Sequence, residues 1–345
     1  MNRSEILLRG LSKTDKIIEI GPSYNPLAAK RDGWNVFTVD HDNRDGLVAK
    51  YAGNPTVDTS RIEDVDYVWR GGSVLDVVPT AMRGSFDAFI ASHVIEHTTD
   101  VISFLKSAET LARPDGVIIL AVPDKRKCFD LFRPPSTTSS ALLAYHERRT
   151  HHTAATHFDN AAFIANKDSD TGWTIDDARK PRLASTLSGM IEHWELGSRP
   201  DYVDAHQWIF VPASFQLMVL ELSGLGYLDL RIEACAENPS TEFYAWLHRG
   251  KEQLSPDEMQ ARRLDLLCRQ IVELAEQTRQ MPGSPLANAL SRLAEAETRA
   301  VNAEAKASEA ERRLADAGSR IMHLEGEVAG LRRRPLDRIL SRVRP

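Results

Sequence analysis

The sequence has few of the features that would indicate an extracellular or nucleic-acid-binding protein. Only three of its 345 residues are cysteine, and Cys128, Cys235 and Cys268 lie far apart without metal-ligand spacing. Such thiols suit a reducing compartment, where a single cysteine is usually a small apolar residue. The formal net charge of −6 gives no general reason to expect nucleic-acid binding.

Long apolar runs are missing as well. The first residues, MNRSEILLRG, contain none, so we expect neither a signal peptide nor a membrane span, and we expect a cytoplasmic protein. With 42% hydrophobic and 27% charged residues, the chain can still bury a sizeable core. Its length predicts one large domain with additional segments.

Strand-like and helical patterns alternate over the first third of the chain. The predicted strands are 17–20, 36–39, 65–69, 86–91 and 116–122. Apolar residues at helical spacing predict a helix over 100–111. Alternation of this kind predicts an α/β fold with a parallel sheet and right-handed crossovers.

The alternation stops after Pro123 and resumes near residue 213. Residues 124–205 are rich in His, Asp, Thr and Arg, so we interpret them as an insertion that forms a lid over a substrate site. A predicted helix at 213–222 precedes LGYLDLRIEAC and EFYAWLHRG, which indicate a closing antiparallel hairpin. The first domain is therefore predicted to span 1–250.

The remaining chain is rich in Ala, Glu, Arg and Leu. We predict a helical linker over 251–285 and a coiled coil over 286–332. Two core positions repeat through six heptads with charged flanks: Leu293, Ala300, Ala307, Leu314, Ile321 and Val328 fill one, and Ala296, Ala303, Ala310, Ala317, Leu324 and Leu331 the other. The pattern favours a homo-oligomer of two or three strands over a solvated single helix.

The last segment, 333–345, is a basic amphipathic tail. Leu336, Ile339, Leu340 and Val343 share one face of a short predicted helix, and arginines surround them. Contact with an anionic membrane surface, docking on a partner protein and a frayed terminus are all open interpretations.

The turn after the first strand has fewer glycines than a dinucleotide-binding loop. Gly21 ends the strand where the chain must pass beneath a ligand. Pro22, Ser23 and Asn25 occupy places where a dinucleotide fingerprint needs glycine to make room for a pyrophosphate. The turn therefore suits a ligand without phosphate groups.

Two acidic residues add to this interpretation. The Glu19 carboxylate could face the same crevice and accept a cationic amino group, and Asp40 ends the second strand about 20 residues further on. That spacing is typical of the acid that binds ribose hydroxyls. An ammonium, a ribose diol and no phosphate cradle together indicate S-adenosylmethionine.

Later segments strengthen the pattern. SFDAFIASHVIEHTTD predicts a strand that ends at Ser92, and LARPDGVIILAVPD a tight turn and a buried fifth strand. With EIGPS as motif I, residues 14–124 and 213–249 resemble the class I (Rossmann-like) S-adenosylmethionine-dependent methyltransferases of the type 11-like group. The resemblance implies a Rossmann-like sheet and these cofactor-binding residues: Glu19, Gly21, Pro22, Ser23, Asp40, His41, Gly72, Ser73, Ser92 and His93. Asp76 is an alternative to Gly72 and Ser73 as the residue that contacts adenine.

A narrower resemblance concerns the acceptor. GPSYNP, GWNVFTVDH, AVPDKRKCFDLFRP and DAHQWIFVPASF are similar to bacterial methyltransferases associated with glycosyltransferases and surface-polysaccharide assembly. This implies O-methylation of a glycan or sugar-linked acceptor. It also implies contact of the basic tail with a glycosyltransferase or with the inner membrane.

An oxygen acceptor needs a general base, and histidines are the candidates. His93 and His97 flank Glu96 at a predicted helix start, where a neutral imidazole is expected; packing or capping is the alternative role of His97. His206 leads back into the core. The insertion supplies a further polar set: His146, Glu147, Arg148, Arg149, His151, His152, His157 and Asp159. None of the insertion spacings is typical of a metal site, so no metal is predicted.

Two other functions remain open at this level. A nicotinamide-dependent oxidoreductase would use a similar sheet but needs the glycines that are missing here. A non-catalytic scaffold that recruits glycosyltransferases through the coiled coil would not need the intact EIGPS, Asp40 and HVIEH segments.

Overall fold

A seven-stranded mixed sheet forms the centre of the computed structural model, which describes residues 2–281 and 283–332. Its strands are β1 (Ile17–Ile20), β2 (Val36–Asp40), β3 (Tyr67–Val68), β4 (Phe86–Ser92), β5 (Ala112–Pro123), β8 (Leu230–Glu237) and β9 (Glu242–Arg249). They follow the order β3-β2-β1-β4-β5-β9-β8; β1 to β5 are parallel, and β9 runs antiparallel to both β5 and β8. The predicted Rossmann-like sheet with a closing hairpin is confirmed.

Helices cover both faces of this sheet, which explains why all four residues of β1 are buried. The helices of the sheet layers are α1 (Arg3–Leu7), α2 (Arg44–Tyr51), α3 (Val101–Leu111) and α7 (Pro212–Gly224). Helix α3 begins after Asp100, whose side chain accepts a hydrogen bond from Ser103 N, and its apolar face packs with Phe104 and Leu105 in the main core. The predicted helix over 100–111 therefore differs by only one residue.

The segment predicted as an insertion contains more regular structure than its periodicity indicates. It holds α4 (Thr138–His146), α5 (Ala154–Phe163), α6 (Leu187–Leu196) and a small sheet of β6 (Ala165–Asn166) and β7 (Arg182–Leu183). It returns to the core where Gln207 N and Trp208 N donate to the Glu96 carbonyl at 2.7 and 3.2 Å. These bonds bring the end of the segment directly beside the loop that follows β4.

Helix α8 (Pro256–Glu276) occupies most of the predicted linker and packs against α7. The buried Arg126 guanidinium joins Asp124 in a bidentate ion pair, and its Nη1 also lies 2.6 Å from Glu276 Oε2 on α8. Ala213 N donates to Glu273 Oε2 at 2.9 Å. Helix α8 therefore belongs to the same compact unit as the sheet, residues 1–282.

Helix α9 (Pro285–Arg332) forms a second unit and is 48 residues long. Its larger apolar residues, such as Leu293, Leu314 and Ile321, are exposed in the single chain. The predicted basic tail, 333–345, lies outside the described residues. Among the helices that are described, none is long and apolar enough to cross a membrane.

The Glu19 carboxylate fixes the loop that follows β1. Leu27 N donates to its Oε1 at 2.7 Å, and Ala28 N donates to its Oε2 at 3.1 Å. Burial raises the pKa of the Glu19 carboxyl to about 7, against the opposing effect of these two donors. The folded-state pKa lies above the ordinary value of 4.5, so the protonated carboxyl contributes to the stability of the fold. This contribution is fully present below pH 4.5 and is lost as the pH rises through 7.

Glu19→Gln removes this titration. We expect the free energy of unfolding of the wild type, relative to that of the variant, to fall by up to about 3 kcal/mol across that pH range. Urea denaturation at several pH values measures it. Glu63→Gln is the control, since that carboxylate also accepts from two successive backbone N–H groups, those of Lys30 and Arg31. If the free energy of unfolding of the wild type, relative to that of Glu19→Gln, stays constant or grows as the pH rises, the Glu19 carboxylate is ionised in the folded protein and this prediction is wrong.

Candidate functional site

A cavity of about 1330 Å³ opens at the carboxyl ends of β1, β2 and β4. Ligands of open α/β sheets bind at this edge. The volume exceeds the usual 300–1,000 Å³ of a single small-molecule site, so a cofactor and an acceptor can share it. The cavity lies within the first compact unit.

Gly21 and Ser23 shape the wall above β1. Both have left-handed backbone, with φ of +66° and +48°, and a Cβ at Gly21 would lie 2.7 Å from Val94 Cγ2. A side chain at Gly21 would be strained by the backbone conformation and would collide with Val94. Ser23 lines the cavity, and its Oγ is buried without a hydrogen-bond partner among the described residues. Pro22, also predicted for this site, lines the same wall.

Asp40 ends β2 with a buried carboxylate that also lines the cavity. Its Oδ2 accepts from Ser23 N at 2.8 Å, and its Oδ1 contacts His41 N and His41 Nδ1 at 2.8 and 2.7 Å. A carboxylate offers about four acceptor positions, so Oδ2 can accept a further hydrogen bond from a ligand. His41 lines the cavity beside it.

Gly72 and Ser73 form a third wall of the cavity. The Ser73 side chain caps the short 3₁₀ turn that follows, and Asp76 Oδ2 accepts from Ser73 N at 3.1 Å. Asp76 does not line the cavity. The indole of Trp69 donates to the Gly72 carbonyl at 3.2 Å and stacks on Phe104, which gives this wall an aromatic side.

The end of β4 carries an ionic network that the sequence gives no reason to expect. Arg3 binds both carboxylate oxygens of Glu242, at 2.6 and 2.8 Å, and donates to Ser92 Oγ. His93, with φ of +53°, places its Nε2 2.9 Å from Glu242 Oε2. Burial opposes ionisation of Glu242, but Arg3 and His93 outweigh it and lower its pKa to about 2.

Three chemically active side chains meet beside this network: Glu96, His97 and His206, which we call the Glu96 cluster. His97 Nε2 lies 3.8 Å from Glu96 Oε1, and the two imidazole rings cross at right angles with centroids 4.6 Å apart. Each imidazole holds a carboxylate at its Nδ1, Asp204 for His97 at 2.9 Å and Asp130 for His206 at 2.6 Å. His97 and Asp204 line the cavity.

The neighbours of His97 act on its protonation in the opposite direction to that expected from the sequence. His97 lies in a single 3₁₀ turn, Ile95–His97, whereas α3 begins only at Val101. Burial opposes its protonation, but the hydrogen bond with Asp204 and the charges of Glu96 and Asp204 raise its pKa. His97 therefore does not lie at the start of a helix, and the expectation of a neutral imidazole from a helix start does not apply to it.

The polar insertion divides into residues that face the cavity and residues that do not. His146, Arg148 and Arg149 line it, together with Tyr202. The others of the predicted set contribute no lining: Glu147, His151, His152, His157 and Asp159. Four residues of the site were not predicted, because no local sequence pattern distinguishes them: Arg3, Asp130, Asp204 and Glu242.

Comparisons with known proteins agree on the family. The family model described as "Methyltransferase domain" matches residues 3–176, which is half of the chain. No curated protein is significantly similar to the sequence. Because the family match selects a methyltransferase, the alternative of a nicotinamide-dependent oxidoreductase is set aside.

Several solved structures resemble parts of the chain. A protein described as a zinc-dependent alcohol dehydrogenase from Rhodobacter sphaeroides is 17% identical over 72% of this chain and 89% of its own, with a TM-score of 0.39. The CcbJ methyltransferase from Streptomyces caelestis is 11% identical over 72% of this chain and 94% of its own, with a TM-score of 0.37. A SAM-dependent methyltransferase from Aquifex aeolicus is 10% identical over 71% of this chain and 88% of its own, with a TM-score of 0.35.

Scores this low add nothing to the assignment, and none of these proteins supports the narrower, glycosyltransferase-associated group. The family match covers Gly21, Asp40 and His97, which line the cavity. The chain belongs to the methyltransferase domain family and is a class I S-adenosylmethionine-dependent methyltransferase.

Proposed function

We propose that the protein transfers a methyl group to a hydroxyl oxygen of a glycan or sugar-linked acceptor. The observation that carries this proposal is that one cavity is lined both by Asp40 and by His97 with its Asp204 partner. The first group suits the ribose of the cofactor, and the second suits activation of a hydroxyl. Such an arrangement lets a methyl donor and an oxygen acceptor meet in one enclosed space.

The cavity wall fits S-adenosylmethionine, which when bound supplies a methyl group on a sulfonium. Asp40 Oδ2 is available for a ribose hydroxyl, and Ser23 Oγ is a buried polar atom that no described protein group satisfies. Glu19 lines the cavity, but each of its oxygens already accepts a backbone N–H. Glu19 therefore acts on the cofactor mainly by fixing the loop.

On the acceptor side, the residues must position a hydroxyl and receive its proton. In an in-line displacement the new carbon–oxygen bond forms as the carbon–sulfur bond breaks, and the electron pair stays on sulfur. The hydroxyl proton must leave, and a neutral sugar hydroxyl needs a group that promotes this loss. His97 is that group in our proposal, because it lines the cavity and the hydrogen bond between its Nδ1 and Asp204 fixes the orientation of its ring.

The polar wall of the insertion supports a saccharide acceptor. His146, Arg148, Arg149 and Tyr202 offer hydrogen-bonding groups, whereas an apolar acceptor would need an aliphatic wall. The further support is the sequence resemblance to methyltransferases associated with glycosyltransferases. Residues 124–205 act as the acceptor lid in this proposal.

We also propose that α9 pairs with a second copy of the chain. Its heptad residues are exposed in the single chain, and a 48-residue helix of this charge and spacing buries them only against a partner helix. A second copy carries the same heptads in register, which favours it over an unrelated partner.

Asp40→Asn should weaken binding of S-adenosylmethionine and S-adenosylhomocysteine about tenfold or more, because it removes a charged acceptor for the ribose hydroxyls. Isothermal titration calorimetry of each protein measures the change. Asp45→Asn, at a fully exposed aspartate outside the cavity, serves as the matched control. Unchanged affinity in a folded Asp40→Asn protein would remove Asp40 from the ribose site.

A panel of methyl acceptors tests the reaction itself. With isotopically labelled cofactor we expect label in hydroxyl-bearing saccharides and nucleotide sugars, detected by mass spectrometry. His97→Ala should lower this rate about a hundredfold or more while cofactor affinity is kept. His248→Ala, a surface histidine paired with Glu233, is the control. Label found only on amines, thiols or carbon would contradict the proposal.

Sedimentation of the full chain tests the pairing of α9. The wild type should sediment as a dimer or trimer, and the double variant Leu314→Glu, Ile321→Glu as a monomer, because both charges fall in the heptad core. The substitution Arg313→Glu at a flanking position should change the mass much less. A monomeric wild type at micromolar concentration would contradict the coiled coil.

A further inference from the structure

The strongest unexplained feature of the molecule is the carboxylate of Glu96. The residue is 1% exposed, and within residues 2–281 and 283–332 neither of its oxygens has a hydrogen-bond partner. The nearest imidazole nitrogens are His93 Nδ1 at 3.5 Å and His97 Nε2 at 3.8 Å, both beyond good hydrogen-bond length. A buried carboxylate without partners is costly, so a positive group is expected beside it.

The two imidazoles of the Glu96 cluster are arranged as metal ligands usually are. Both His97 and His206 place Nδ1 against a carboxylate, Asp204 and Asp130 respectively, which leaves both Nε2 atoms for another ligand. Metal-bound histidines almost always have such a carboxylate or carbonyl partner on the second ring nitrogen.

The spacing of the three donor groups also fits. One ligand atom each from Glu96, His97 and His206 lies within 4.8 Å of the others. Tetrahedral coordination at about 2.0–2.2 Å places donor atoms roughly 3.4 Å apart, so a small side-chain rotation closes the site. The backbone bonds from Gln207 N and Trp208 N to the Glu96 carbonyl hold the two chain segments together at this point.

We infer that Glu96, His97 and His206 form a binding site for a divalent cation of the zinc type. Two imidazole nitrogens and one carboxylate oxygen are the donor set of open zinc sites, whereas Mg²⁺ and Ca²⁺ prefer oxygen ligands alone. Of the three ligands, His97 lines the cavity, so an ion bound by this set lies next to the space for the acceptor.

The cation gives the acceptor side a specific chemistry, and this part rests on the proposed function. A hydroxyl oxygen bound at the fourth position loses its proton to water more readily, because the cation stabilises the alkoxide. His97 then acts on the hydroxyl through the cation rather than by taking the proton itself. The site would select acceptors that present a hydroxyl to the Glu96 cluster.

Metal binding can be measured without any acceptor. The full-length protein, stripped with a chelator and dialysed, is titrated with Zn²⁺ by calorimetry and with Co²⁺ by visible absorption. We expect one ion per chain with a micromolar or lower Kd, and the intense visible bands of a four- or five-coordinate Co²⁺ site. Glu96→Gln and His206→Ala should each weaken Zn²⁺ binding at least tenfold.

His248→Ala, at a surface histidine, should leave the titration unchanged. Binding of less than one ion, or Zn²⁺ affinity that is the same in Glu96→Gln and His206→Ala as in the wild type, would overturn the site. If a variant fails to fold, the Co²⁺ spectrum of the wild type still tests the site. A wild-type spectrum as weak as that of hydrated Co²⁺ would also overturn the site. Methylation of hydroxyls without metal binding refutes the site alone, whereas metal binding without such methylation refutes the proposed function alone.

Discussion

The parallel pairing of β1 with β2 and β4 is the constraint on which the site depends. It brings the carboxyl ends of three strands to one edge of the sheet, so that Gly21, Asp40 and His93 surround one cavity although they are far apart in sequence. Burial of β1 on both faces sets this register, because each apolar residue of the strand packs into one of two cores. The Glu19 carboxylate then fixes the loop above the strand.

The second determinant is the return of the chain after the long insertion. The hydrogen bonds from Gln207 N and Trp208 N to the Glu96 carbonyl place His206 against His97. Strand ends therefore build one side of the cavity, and a contact across about 110 residues builds the other. In the proposed function the first side binds the cofactor, and the insertion determines the acceptor.

The sequence predicted the first part well and the second part poorly. Apolar runs located the strands, and the lone glycine of IEIGPSYNP with Asp40 one strand later indicated the correct cofactor. Local spacing could not reveal that Arg3 reaches Glu242, or that Asp130 and Asp204 hold the two imidazoles, because these pairs are joined only by tertiary packing. The same limit hid the Glu96 cluster, since His206 is 109 residues from His97.

The proposed function requires that this cavity hold the cofactor with its sulfur facing the side that His97 lines. A crystal structure of the full chain with S-adenosylhomocysteine tests it most directly. The account predicts ribose hydroxyls within hydrogen-bond distance of Asp40 and a sulfur atom that faces the side of the cavity lined by His97. A ligand bound outside the cavity, or one whose sulfur points away from His97, would contradict it.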